Sequence, residues 1–161
     1  MRLIGPIPEG DLQEGSRGEF YWMISAALWV LCLNLIVVNH IIPVPMTRIL
    51  YKILGARVGK NTYFSGTVLD PQFTIFGSNV VVGLGSIIIP HLIEGKRLAH
   101  FKVQVGDNVT IGAQSTILAG TKIGTGSIVG AMSLVPKNTV IGEYELWAGI
   151  PAKFVRKLPT T

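Results

Sequence analysis

Within the eleven residues PHLIEGKRLAH, Pro90 to His100, the chain gathers two imidazoles, a carboxylate, an ammonium and a guanidinium. A neutral imidazole, with an ordinary pKa of roughly 6.5, is available at physiological pH to take a proton from a hydroxyl or an amine. His91 is the first candidate for that work and His100 the second, with Glu94 placed to orient a ring or touch a substrate. A structural or surface histidine and a solvated carboxylate are the plain alternatives. Cys32, the single cysteine, sits in an apolar stretch, where burial leaves a thiol inert and no intrachain disulfide is possible.

These residues interrupt a strict six-residue rhythm. Large apolar residues recur at Val105, Ile111, Ile117, Ile123, Val129, Val135, Ile141 and Trp147, and earlier at Val58, Phe64, Phe76, Val82 and Ile88; only Asp70 breaks the first run. Glycine usually follows the large residue, and a small or branched residue stands four places on, as at Ser115, Thr121 and Ser127. The period is neither helical nor a simple alternation, and it predicts a parallel β-helix whose hexads each supply one strand and one turn. The apolar residue then points inward, and the glycine takes backbone angles that a Cβ would make costly. Between Ile93 and Val105 stand eleven residues where two hexads need twelve, so a loop, 94–104, is spliced into the coil. Loops on rigid scaffolds carry function.

The rest of the chain positions this scaffold. Phe20 to Val38 is a run of nineteen residues without charge, about the length of a helix crossing a hydrocarbon core of roughly 30 Å. Arg48, Lys52, Arg57 and Lys60 follow it with no acid before Asp70, which predicts a membrane-associated protein with its β-helix on the cytoplasmic side. An interfacial or re-entrant helix, or one buried in an oligomer, is the alternative to a full crossing. Pro43 and Pro45 are expected to stop this helix. The basic amphipathic stretch after them either lies on headgroups through Ile49, Leu50, Ile53 and Leu54 or caps the β-helix. The expected organisation is therefore a polar segment 1–19, an apolar helix 20–45, a connector helix 46–57, a β-helix 58–152 of about five coils, and a basic tail 153–161. The net charge of +5 comes without a nucleic-acid motif, so no nucleic-acid partner is expected, and an anionic membrane or a phosphorylated ligand accounts for it.

Repeats such as VGDNVT, IGAQST and IGTGSI resemble those of the hexapeptide-repeat transferases. The resemblance implies an all-β fold, a left-handed parallel β-helix; the left hand rests on it alone. It also implies a homotrimer in which acyl-coenzyme A lies in the cleft between neighbouring β-helices, and a histidine base, here His91, that activates the nucleophile without a covalent acyl-enzyme. The run from His91 to Lys153 is similar to the hexapeptide segment of membrane-bound, polylysine-synthetase-type nonribosomal synthetases; with no adenylation or carrier domain in this sequence, peptide-bond chemistry does not carry over. GAMSLVPKN and WAGIPAKFVRK resemble the coenzyme A-lining stretch of sugar and serine acetyltransferases. By that likeness, backbone groups at Gly130 and Ala131 meet the pantetheine arm, Lys137, Lys153 and Arg156 meet the nucleotide phosphates, and Trp147 covers the groove. Ile150 stands where that family more often has asparagine, and Trp147 is equally explicable as an inward residue of the last coil.

The expected function is transfer of an acyl group, acetyl in the first instance, from acyl-coenzyme A to a hydroxyl or amine of a membrane-proximal acceptor, a small molecule or a lipid-linked one. No metal is expected. A zinc enzyme of the γ-carbonic anhydrase type needs three histidines, for which the chain offers His40, His91 and His100 but lacks the paired histidines of a later coil. A non-catalytic scaffold is the remaining alternative.

Overall fold

The computed structural model describes residues 7–39 and 41–160; His40 lies outside them. Short parallel strands stack into three sheets that form the faces of a coil. The first sheet runs through Arg57–Val58, Thr74–Phe76, Val103–Val105, Lys122–Ile123 and Val140–Ile141. The second contains Tyr63–Phe64, Val81–Val82, Thr110–Ile111, Ile128–Val129 and Glu145–Gly149, and the third Thr67–Val68, Ile87–Ile89, Thr116–Leu118 and Leu134–Val135. Partners such as Val105 and Ile123, or Ile111 and Val129, stand 18 residues apart, which is three hexads. The inward column is buried from Val58 to Ile141, and Trp147 extends its register, half-buried, opposite Val129.

Two expectations about the repeat change in detail. Gly106, Gly112, Gly124, Gly130 and Gly142 do not take left-handed angles; those fall to corner residues such as Asn79 and Asn108, whose side chains hydrogen-bond at 3.0 Å from one coil to the next. Gly112 is needed for close approach instead, since a Cβ there would lie 2.6 Å from the Gly130 carbonyl carbon of the neighbouring coil, a collision that no rotamer relieves. In the first coil Val68, not residue 70, takes the inward position, fully buried and paired with Ile88 at a spacing of 20 residues. The extra length goes into the corner after Val68, where a single 3₁₀ turn, Pro71–Phe73, follows Asp70.

The apolar segment folds as helix α1, Arg17–Leu28, a π-helical turn Trp29–Leu33, and helix α2, Asn34–Val38. It therefore ends before the prolines, and Pro43 and Pro45 instead open helix α3, Val44–Ile53. Both ends of the apolar segment are tied to the same β-helix. Before it, Gly10–Leu12 pairs antiparallel with Arg97–His100, Asp11 meets Arg97 at 2.5 Å, and Glu9 pairs with Lys102. After it, α3 covers the first coil: Tyr51 is wholly buried, its ring 4.8 Å from Phe64, its hydroxyl donating to the Gly66 carbonyl at 3.3 Å and accepting from the Val68 N–H at 3.1 Å. Burial pushes the Tyr51 phenol up to about 12. The connector helix thus caps the coil while leaving Met46, Ile49 and Ile53 exposed. Between these anchors the apolar helix runs side-on to the β-helix, with Ser25, Trp29 and Val37 buried and Phe20, Met23, Val30, Leu31 and Leu35 exposed.

The spliced segment is not a loop over 94–104. It is a hairpin, His91–Glu94 against Arg97–His100, with Gly95 at φ 60° in a two-residue turn, and Val103 already belongs to the first sheet. Pairs that straddle it, such as Phe76 with Val105, are 29 residues apart instead of 18. The expected basic tail is likewise a strand, Ala152–Lys157, folded back antiparallel on Glu145–Gly149.

Candidate active site

The slip in the first coil and the hairpin meet at one point. Asp70 stands in the corner with φ 44° and ψ 62°, a left-handed conformation that aspartate tolerates better than most residues. His91 opens the hairpin, and its Nδ1 lies 2.5 Å from Asp70 Oδ2. Their side chains are 20% and 9% exposed, so the pair is sheltered but reachable. A carboxylate on Nδ1 fixes the tautomer and leaves the Nε2 lone pair free to accept a proton. Trp22 of α1 sets its edge against the His91 ring, centroids 5.7 Å apart, and limits rotation of the imidazole.

His100 stands directly opposite His91 across the hairpin, ring centroids 6.1 Å apart. It is wholly buried, stacked on Phe73 at 4.6 Å and edge-on to Trp22, and neither ring nitrogen has a hydrogen-bond partner. Burial pulls its pKa down to about 4, with Asp70 opposing and His91 reinforcing the fall. His100 is therefore a neutral wall of the site, in place of the second candidate base. The unfolded chain protonates it near its ordinary 6.5, so between that value and about 4 the unfolded state holds the extra proton. The contribution of His100 to stability is present above pH 6.5 and is lost as the pH drops through that window. We expect chemical denaturation of His100→Leu to lack this acid-side loss; a wild-type slope retained in the variant would assign it to another group.

Glu94 does not orient the imidazole: its carboxylate pairs with Lys137, two coils away, and lies 3.7 Å from Arg97. The Lys137 ammonium holds the Glu94 carboxyl below its usual range. Between this ion pair and His91 lies an open groove of about 310 Å³, floored by Ile89, Leu118 and Ala119. Lys137 thus joins the histidine's groove, while the other expected contacts collect elsewhere. Gly130 and Ala131 follow the second-sheet strand Ile128–Val129; a Cβ on Gly130 would sit 2.9 Å from that of Ala148, which pairs with Lys153. Arg156 pairs with Leu146 on the same hairpin, and Lys153 and Arg156 are exposed. Trp147 packs on the core and donates from Nε1 to Glu145 at 2.8 Å. Glu145 is held below its usual range by Lys157 and this indole. The residues that sequence reasoning missed are Asp70 and Trp22; Asp70 had a signal, as the one break in the first hexad run. Among the described residues, no group of three or more His, Cys, Asp or Glu side chains is arranged to hold a metal.

The model of the bacterial transferase hexapeptide family (six repeats) matches residues 102–137. Residues 102–137 thus carry the hexapeptide repeat that this family model describes. A putative acetyltransferase of Bacillus subtilis, YvoF, is 39% identical over 97 residues, 56% of this chain and 55% of that protein. Gamma carbonic anhydrase 2 of Arabidopsis thaliana mitochondria is 37% identical over 60% of this chain and 30% of that protein. The delta-poly-L-ornithine synthetase of Acinetobacter baumannii is 27% identical over 71% of this chain and 9% of its own length, in keeping with the expected likeness to polymer-forming synthetases. A hexapeptide-repeat acetyltransferase of Vibrio cholerae, solved with acetyl-coenzyme A, superimposes with a TM-score of 0.59 and 25% identity over 66% of this chain and 62% of that one. The hexapeptide chain spans 55% or less of the length of the three relatives named first. The likeness in fold to solved acetyltransferases of this repeat implies the left-handed coil.

Proposed function

We propose that this hexapeptide protein is an acyl-coenzyme A-dependent acyltransferase acting on a hydroxyl or amine near a membrane. The observation that carries this reading is the Asp70–His91 pair, placed at the one corner where a coil slip and an inserted hairpin meet, beside an open groove. His91 Nε2 takes the acceptor's proton as the nucleophile attacks the thioester carbonyl. The new C–O or C–N bond forms, the C–S bond breaks, and the same nitrogen returns the proton to the departing thiolate. Asp70 steadies the imidazolium in between. The acetyltransferase likenesses support acyl-coenzyme A as the donor.

The site residues are divided between two parts of the coil. His91 and Lys137 lie beyond third-sheet strands, whereas Gly130, Ala131, Lys153 and Arg156 cluster around the C-terminal hairpin. Such a division suits a homotrimer in which one copy supplies the base and its neighbour the coenzyme contacts. Lys153→Glu with Arg156→Glu tests the second half. The double variant is expected to weaken coenzyme A by about tenfold more than 3′-dephospho-coenzyme A, since a charge-assisted phosphate contact is lost only where the phosphate exists. Calorimetry at low salt reads it; equal losses would remove these residues from the phosphate site.

For the membrane, the arrangement favours a helix lying in the interface over one that crosses, because the chain on either side of it is bonded to the same β-helix. The bare apolar face then enters lipid. Leu31→Glu with Leu35→Glu, at exposed positions, is expected to abolish co-sedimentation with phosphatidylethanolamine–phosphatidylglycerol vesicles while the thermal transition is retained. Unchanged partition would place the membrane contact elsewhere.

A further inference from the structure

The Asp70–His91 pair has a second face. Behind it, between α1 and the slipped corner, is a cavity of about 130 Å³ lined by Ser25, Ala26, Trp29, Leu69, Asp70 and His91, with Trp22, Val30 and Pro71 completing the wall. His91 is the one residue shared by this cavity and the groove leading to Lys137. From the groove side the histidine meets charged groups; from the cavity side, apart from Asp70, it meets only apolar and small uncharged side chains.

We infer that this cavity holds the hydrocarbon tail of a lipid-anchored acceptor and delivers its terminal hydroxyl or amine to His91 from the helix side. This rests on the acyltransferase reading and adds the class of acceptor. Three observations commit the cavity to an amphiphile. Its ionisable side chains are confined to Asp70 and His91, and apart from the Ser25 hydroxyl and the two indole N–H groups the remaining wall suits methylenes. Val30 at its rim is 60% exposed, on the same bare face as Leu31 and Leu35, so the cavity adjoins the surface proposed to enter lipid. Trp22 and Trp29 each carry a buried indole N–H with no partner, and Trp29 is only 7% exposed; a small turn of either ring toward a ligand oxygen recovers a hydrogen bond whose absence is costly. A donor's acyl chain is the other source of hydrocarbon, but coenzyme A carries phosphates, and this cavity has no lysine or arginine in its wall.

The test uses the full chain in lipid nanodiscs with 11-bromo-1-undecanol, whose bromine quenches a nearby indole. Wild-type Trp fluorescence is expected to be quenched saturably, with the effect removed in Trp22→Phe/Trp29→Phe and retained in Trp147→Phe. Ala26→Leu, which fills the cavity, is expected to weaken the saturable binding about tenfold, and the milder Ala26→Val by less, in rough proportion to methylenes displaced. Binding is read without acyl-coenzyme A, so failure of the acyltransfer reading leaves this result standing. Equal quenching in wild type and both Ala26 variants overturns the proposal. So does weakening of decanoyl-coenzyme A by Ala26→Leu with the alkanol unaffected, which would give the cavity to the donor.

Discussion

His91→Ala is expected to lower kcat for acyl transfer by about 10²–10⁴-fold, the usual contribution of a positioned general base. Coenzyme A binding and the thermal transition should stay close to wild type, because the ring is part-exposed and its one hydrogen bond is to Asp70. A rate within about threefold of wild type, well short of that range, would remove His91 from the mechanism.

Asp70→Asn is expected to be the second largest effect. Asparagine matches aspartate in shape and tolerates the left-handed conformation that the corner imposes, so the β-helix should fold as before. What disappears is the negative charge that holds the Nδ1 proton and steadies the imidazolium. Loss of the corresponding charge in a buried serine-protease triad costs about 10⁴ in kcat; in this part-exposed pair we expect about 10²-fold. Asp70 acts through His91 as a positioning residue, so kcat should fall while KM for acyl-coenzyme A holds. A parallel rise in KM, or a lowered melting temperature, would instead mark Asp70 as a structural corner residue.

The repeat was legible because a strand and a turn in six residues leave a period that nothing else imitates, and the large apolar residues at that spacing from Val58 to Ile141 are buried. Asp70 was visible only as an exception. Its meaning depended on Val68 taking the inward place, a slip that periodicity cannot show because both registers leave an apolar residue nearby. The hairpin had its own signal in the Gly95–Lys96 turn between HLIE and RLAH, but a count of eleven residues where two hexads need twelve shows only an insertion, not its shape. Charge misleads at the C-terminus, where Ala152–Lys157 pairs as a strand with its basic side chains outward. The apolar helix shows the opposite failure. Hydropathy alone reports a span, and only the ties at Gly10–Leu12 and at Tyr51 show that one side of it is packed on protein, which is how Trp22 comes to lie against His91.

The central claim, that the Asp70–His91 pair drives acyl transfer out of a coenzyme A thioester, is tested most directly by thiol release. Full-length protein in nanodiscs made with total bacterial membrane lipid would be mixed with acetyl-coenzyme A, and free coenzyme A thiol followed together with acetyl label in the lipid fraction. The account predicts thiol and lipid-borne acetyl appearing in equal amounts with wild type, and both falling by about 10²-fold or more with His91→Ala. Thioester consumption by wild type no faster than by His91→Ala would contradict it.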